Sequence, residues 1–259
     1  MMRFCSLGSG SGGNATLVEA RDGTTASRVL VDCGFSLREL ETRLARIGVE
    51  VDSLDAVFVT HEHGDHVGCA VTLARRHQVP LWTSRGTWRA MGAPDLPGLL
   101  HFARDGIAID LGDLRLLPYT VPHDAHEPLQ PCFTDGVSKL GILTDAGMST
   151  PHLVAQLQQC DAMVLECNHD RELLAKSRYP ASLKARIGGQ WGHLANHVAT
   201  EILAACMHPG LRHVVAAHLS EQNNLPELAA AALSLATGGE AQDVVIADPD
   251  HGFGWLQLR

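Results

Sequence analysis

The sequence predicts a single α/β domain, and three observations predict it. Short continuous apolar runs at residues 56–60, 139–145, 163–166 and 213–218 have the character of strands buried on both faces. Segments with helical apolar spacing alternate with them. No linker, low-complexity tract or shift in composition interrupts the alternation, so one domain over residues 1–259 is the economical expectation. A hydrophobic content of 45% in 259 residues is ample for its core.

The first element is a strand ahead of Gly8, followed by Gly8-Ser-Gly-Ser-Gly-Gly-Asn14. Gly8, Gly10 and Gly13 fit the spacing of a dinucleotide-binding loop, with Asp32 about 20 residues on. Such a loop must open a helix, because the pyrophosphate sits on that helix's N-terminus. Here two β-prone segments, 14–20 and 27–32, flank Asp22-Gly23, which predicts a hairpin and removes the dinucleotide reading. A helix follows: Ser36 and Glu39 form a capping box, Leu37, Leu40, Leu44 and Ile47 make its apolar stripe, and Gly48 stops it. The strand at 56–60 leads into a loop, then a helix from Val67 to about His77 with Val67, Val71 and Ala74 on one face, then a strand at 79–83. The second half repeats this grammar, with helices expected at about 150–159, 196–207 and 225–236.

Composition narrows the function classes. A net charge of −9, from 20 basic and 29 acidic residues, argues against a surface that coats nucleic acid indiscriminately. The bases are nevertheless concentrated: Arg171, Lys176, Arg178, Lys184 and Arg186 stand against Glu172 alone, and Arg75, Arg76, Arg85 and Arg89 have no acid between them. Backbone phosphates suit such clusters; solvated helix faces are the bland alternative. The seven cysteines are scattered and never spaced C-x-x-C, so neither a disulfide framework nor a zinc ribbon is expected. With no signal segment and no apolar run near the ~18 residues of a membrane span, a cytoplasmic protein is expected.

The chemistry is concentrated in Thr60-His-Glu-His-Gly-Asp-His66. His61 and His63 are two apart, so in an extended segment their rings point the same way and can share a metal. A sharp turn at Gly64 would let Asp65 and His66 face a second ion. The remaining ligands must come from elsewhere. His123 is the candidate third ligand of the first metal, with His126 as its competitor; Asp145, at a strand tip, suits a bridging carboxylate, and His218, at another, completes the second metal.

This pattern resembles the metallo-β-lactamase fold superfamily, over nearly the whole chain. The resemblance implies an αββα four-layer sandwich with a dinuclear site at one edge. It also implies that Asp32, in Leu-Val-Asp-Cys-Gly34, orders the metal loop without binding metal. Glu166 in Val-Leu-Glu-Cys-Asn-His-Asp170, Gly192-His-Leu-Ala-Asn196 and His218-Leu-Ser-Glu-Gln-Asn-Asn224 resemble the layout of tRNA 3′-processing nucleases of this fold, in which a Glu and a His help proton transfer. The wording is more similar to YycJ/WalJ-like proteins, described as 5′-to-3′ exonucleases on double-stranded DNA, whose pattern includes the N-terminal Gly-Ser-Gly-Ser-x-Gly-Asn loop. Ala195 stands where that pattern leads one to expect Ser.

The implied reaction is phosphodiester hydrolysis at two divalent ions, zinc or manganese with iron as a third option, through a bridging hydroxide. Asp65 would bind the second metal and orient the nucleophile, and His193, supported by Glu166, would protonate the leaving oxygen. Ser9, Ser11 and Asn14 of the Gly-rich loop are expected to form an anion nest for a substrate phosphate. Asn168, His169, Asn196, Ser220 and Asn223 are expected to contact substrate as well. Two rivals use the same centre: a hydrolase of small phosphodiesters or thioesters, and a non-catalytic metal-stabilised binding module.

Overall fold

Strand-prone residues at the N-terminus pair locally before anything distant is needed. In the computed structural model, which describes residues 1–258, β1 (Met2–Gly8), β2 (Ala15–Asp22) and β3 (Thr25–Val31) form an antiparallel meander. The hairpin expected around Asp22-Gly23 is β2 and β3, and the Gly-rich loop joins β1 to it. Helix α1 (Leu37–Arg46) is followed by β4 (Ala56–Phe58), α2 (Gly64–Val67), α3 (Ala70–His77), β5 (Leu81–Thr83), α4 (Arg85–Ala90) and β6 (Leu100–Phe102). Strands β3 to β6 pair in parallel, so their connections lie outside the sheet.

The second half builds its own sheet. Strands β7 (Ile109–Leu111), β8 (Leu114–Thr120), β9 (Leu129–Thr134) and β10 (Lys139–Leu143) are antiparallel neighbours. After α5 (Pro151–Leu157) the chain switches to parallel pairing in β11 (Ala162–Glu166), then passes through α6 (Arg171–Lys176), α7 (Ala181–Ile187) and α8 (Asn196–Cys206) to β12 (His213–Ala217). Helix α9 (Pro226–Thr237) precedes β13 (Val244–Ile246), and β14 (Phe253–Gln257) returns to pair with β1. The sheet orders are β14-β1-β2-β3-β4-β5-β6 and β13-β12-β11-β10-β9-β8-β7.

Alternation along the strands assigns the layers. Val29 and Val31 face Phe58, Leu116, Phe133, Ile142 and Val164 between the sheets, whereas Leu30 faces Leu40, Leu44 and Leu73 of α1 and α3. On the far side Leu143 and Leu165 pack with Leu153, Ile202, Leu203 and Leu233 of α5, α8 and α9. The result is helices, sheet, sheet, helices in one domain: the expected αββα sandwich. The domain was expected to run to Arg259, which lies outside the described residues. Among the described residues no helix is long and apolar enough to cross a membrane.

Several local expectations are corrected. Ser36 caps the Glu39 N–H, but the Glu39 carboxylate takes Arg43 at 2.7 Å in place of the return half of the box, because an i,i+4 bond between two opposite charges outcompetes one to an uncharged N–H. The helix expected from Val67 breaks at Gly68, where φ is +27° and a Cβ would lie 2.3 Å from the Cys33 oxygen. Gly64 makes no sharp turn; it begins α2 with open space where its Cβ would be, and the fold of the motif comes from the helix itself.

Candidate dinuclear metal centre

The centre lies where strands of both sheets end. The 61–66 loop follows β4 of the first sheet; His123 follows β8, Asp145 follows β10 and His218 follows β12 of the second. Asp32, Asp145 and His218, each just past its strand, adopt φ of 59°, 53° and 54°. That left-handed region costs a non-glycine residue about 1–3 kcal/mol and persists only where surrounding contacts hold it.

Those contacts are specific. Asp32 is buried; its Oδ1 accepts the Thr60 N–H at 2.8 Å and its Oδ2 accepts from His66 Nδ1 at 2.8 Å, which leaves His66 Nε2 to face the site. The Thr60 hydroxyl lies 2.9 Å from Asp32 Oδ2 and 3.0 Å from His61 Nδ1, so it donates to the carboxylate and accepts from the ring. His123 Nδ1 donates to the Gly192 oxygen at 3.0 Å, again leaving Nε2 inward. Thr60 is a site residue that the sequence reading passed over, although its place between strand and first histidine was the available signal. Gly34 is another: a Cβ there would lie 1.8 Å from the Asp65 oxygen, so only glycine admits the metal loop this close.

Seven expected ligands converge. The ligand atoms of His61, His63 and His123 lie within 4.8 Å of one another, as do those of Asp65, His66 and His218, and those of His61, His66 and Asp145. Asp145 Oδ2 is 2.9 Å from His66 Nε2, and Asp145 Oδ1 is 3.6 Å from His218 Nδ1 and 3.9 Å from His123 Nε2, which places this carboxylate between the two sets. The alternative third ligand, His126, is 76% exposed and paired with Glu62 at 2.6 Å outside the cluster. Buried His123 occupies the position instead.

Two divalent ions suit this constellation. His61 Nε2 is buried without a partner, and the donors are all imidazole nitrogens and carboxylate oxygens, a set that fits zinc, manganese or iron. The electrostatics are those of a site built for cations. Burial would raise the Asp145 carboxyl, yet His218 and His66 hold it well below its usual range; burial would lower His66, and Asp145 and Asp32 raise it.

Glu166 is wholly buried beside the ligands. Its Oε1 accepts from His193 Nδ1 at 2.7 Å, and its Oε2 accepts the N–H groups of Ala146 and Leu194 at 2.9 and 3.1 Å. Burial opposes its ionisation, but His193 and His218 outweigh that and hold it at about 2. His193, half-buried, is raised above its ordinary value by Glu166 and Asp145 despite burial. The His193 imidazole at the edge of the ligand cluster is thus held from beneath by Glu166.

The residues expected to touch substrate divide. Ser9 is buried; its hydroxyl accepts the His218 N–H at 2.9 Å and faces the Asn14 carboxamide. Asn14 accepts from Gly10 and donates to the Asp65 oxygen at 3.2 Å. The N–H groups of Gly8, Ser9, Gly10, Gly13 and Asn14 are all engaged within the protein. The loop thus braces the ligand residues, and of it Ser11 and Gly12 face outward. Asn168 donates to the His218 oxygen, and Asn196 exchanges hydrogen bonds with Asn224 at 3.0 and 2.8 Å. Asn223 donates to Ser220 at 3.1 Å, so these amides also tie loops together before any ligand is considered. His169 is buried with a free Nδ1.

Comparison with known proteins shows the family. Residues 8–206 match the family model of the metallo-beta-lactamase superfamily. The chain is 34% identical over 236 residues to exodeoxyribonuclease YycJ of Bacillus anthracis, covering 90% of this chain and 88% of that one. It is 32% identical over 232 residues to exodeoxyribonuclease WalJ of Streptococcus pneumoniae, with coverage of 88% and 85%. The metallo-beta-lactamase fold protein YhfI from Bacillus subtilis superposes with a TM-score of 0.75 at 17% identity over 99% of this chain and 100% of that one, which speaks for the fold. The chain therefore belongs to the metallo-beta-lactamase superfamily and is a hydrolase of that fold.

Proposed function

We propose that this hydrolase is a two-metal exonuclease that removes nucleotides from the 5′ end of double-stranded DNA, acting in the cytoplasm. The observation that carries the reading is the Glu166–His193 pair, a supported proton donor set at the edge of two adjoining ligand sets. Similarity over most of the chain to two proteins named exodeoxyribonucleases supports DNA as the substrate class. Seven free, buried cysteines suit a reducing compartment.

His61, His63, His123 and Asp145 would hold one ion, and Asp65, His66, His218 and Asp145 the other. When bound, the ions supply an activated water and neutralise charge on the phosphoryl oxygens. Asp65, partly exposed beside His218, orients the attacking water. His193 carries its proton on the outer ring nitrogen, with Nδ1 committed to Glu166, and delivers it to the leaving sugar oxygen. Arg186, bound to Asp124 at 2.6 Å, sets a cation beside His123 and thus beside the approaching backbone.

The test is digestion of duplex DNA labelled separately at each end, with Mn²⁺ or Zn²⁺, for the native protein and His66→Ala. Metal-dependent release of the 5′ label as mononucleotides, absent in the variant, is expected. Intact DNA alongside hydrolysis of bis-p-nitrophenyl phosphate would move the substrate to a small phosphodiester and refute the exonuclease.

A further inference from the structure

Beyond the ligand cluster, a cavity of about 520 Å³ opens against α6, α7 and the start of α8, within the size range of small-molecule sites. His193 forms part of its wall, so the cavity adjoins the proton donor directly. Its chemistry differs from that of the surrounding surface. On a chain of net charge −9 it is lined by Arg171 and Lys184 and by no carboxylate. Neither cation forms an ion pair among the described residues; the Lys184 ammonium donates to the Ala175 oxygen at 2.6 Å and stays at the cavity edge.

Two further features favour an anion with an organic body. The first turn of α8 borders the cavity; its cap residue Ala195 has no side-chain acceptor, and with the Asn196 N–H given to the His169 oxygen and the Val198 N–H to the Ala195 oxygen, the His197 N–H remains for an anion. His169, 2% exposed, lines the same cavity, with its Nε2 toward Gly188 of the wall. Leu174, Val198 and Ala185 supply apolar wall. Phosphate alone would need neither that wall nor this volume; a sugar and base would.

We propose that this cavity is a nucleotide subsite, taking one nucleoside monophosphate unit with its phosphate toward Arg171, Lys184 and the α8 N-terminus and its base against Leu174 and Val198. The proposal rests on the exonuclease reading above and deepens it: a nucleotide seated here lies on the far side of His193 from the ligand cluster, where the donor can reach the bond between it and the next unit.

The experiment is calorimetric titration of the metal-loaded protein with deoxyadenosine 5′-monophosphate and, separately, with inorganic phosphate. It is repeated for Ala185→Trp, which fills the cavity from its exposed side, and for the double variant Arg171→Ala with Lys184→Ala. Melting curves confirm that each variant folds. The native protein is expected to bind the nucleotide at least tenfold more tightly than phosphate, Ala185→Trp to abolish that margin, and the double variant to weaken the nucleotide at least tenfold. Equal affinity of the native protein for nucleotide and phosphate, or unchanged nucleotide binding in either variant, would overturn the proposal. DNA digestion that persists while nucleotide binding ignores both variants refutes the subsite alone; nucleotide binding that obeys them while DNA stays intact refutes the exonuclease alone.

Discussion

Thr60 shows how one hydroxyl can set two ligands. It donates to Asp32 and accepts from His61 Nδ1, while Asp32 fixes His66, so both rings keep Nε2 for the site. Thr60→Val keeps the shape and removes the hydroxyl. It is expected to weaken metal binding about 10- to 100-fold, read by competition with a chelator. Glu166 acts through His193. Because the carboxylate raises the His193 pKa, and the donor must be protonated to act, activity falls as pH rises through that value. Glu166→Gln lowers it, so the falling limb of the kcat profile should move to lower pH, with kcat at neutral pH reduced roughly 10²-fold. An unmoved limb would show that Glu166 serves only to hold Ala146 and Leu194.

At the scale of elements, three loops are laced into one unit behind the metal ligands. The Cys33 N–H donates to the His66 oxygen, Gly34 to Asn14, and Asn14 to Asp65. The strands that carry these loops are tied in turn by Glu19 of β2, which sits opposite Arg3 of β1 and Arg28 of β3 and bonds each at 2.7 Å. Arg21 adds a third guanidinium, and Arg3 stacks on Trp255 of β14. Burial opposes the Glu19 charge, but Arg21, Arg3 and Arg28 outweigh it and hold the carboxyl at about 2 against an ordinary 4.5. A depressed carboxyl contributes stability above its unfolded value and loses it as pH falls through the folded one. Denaturant titrations should therefore show Glu19→Gln less stable by roughly 2 kcal/mol at neutral pH, with the gap closing between pH 4.5 and 2. The arginines are partly exposed, so solvent screening keeps the figure below that of a fully buried pair.

For the whole molecule, the ligand set joins the two sheets. His61, His63, Asp65 and His66 belong to the first, and His123, Asp145 and His218 to the second. Ions bound there would cross-link halves that also meet through an apolar interface, through β14 and through hydrogen bonds such as that from the His218 N–H to Ser9. At a free metal concentration near 100 times the dissociation constant the native state gains about 2.7 kcal/mol. For a chain of this size that corresponds to roughly 5–10 °C in melting temperature. Calorimetry with and without chelator should show that difference, and His66→Ala, which loses a ligand of one of the two ions, should show less of it.

The sequence by itself determined the single α/β domain, the hairpin that excludes a dinucleotide loop, and the side chains that converge as candidate ligands. Each of these is carried by local signals: apolar runs of strand length, turn residues, and four ligand-type side chains within six positions. It did not reveal β8 and β9, because Pro118 faces Pro131 across them and proline disguises a strand. Tertiary structure alone decided between His123 and His126. The two rings are three residues apart with similar neighbours, and only the packing of their loop against Gly192 and Glu62 buries one and exposes the other. It also gave Ser9, Asn14, Asn168 and Asn196 their partners within the protein, since a polar side chain's partner is set by what the fold brings within about 3 Å, information that no local pattern carries.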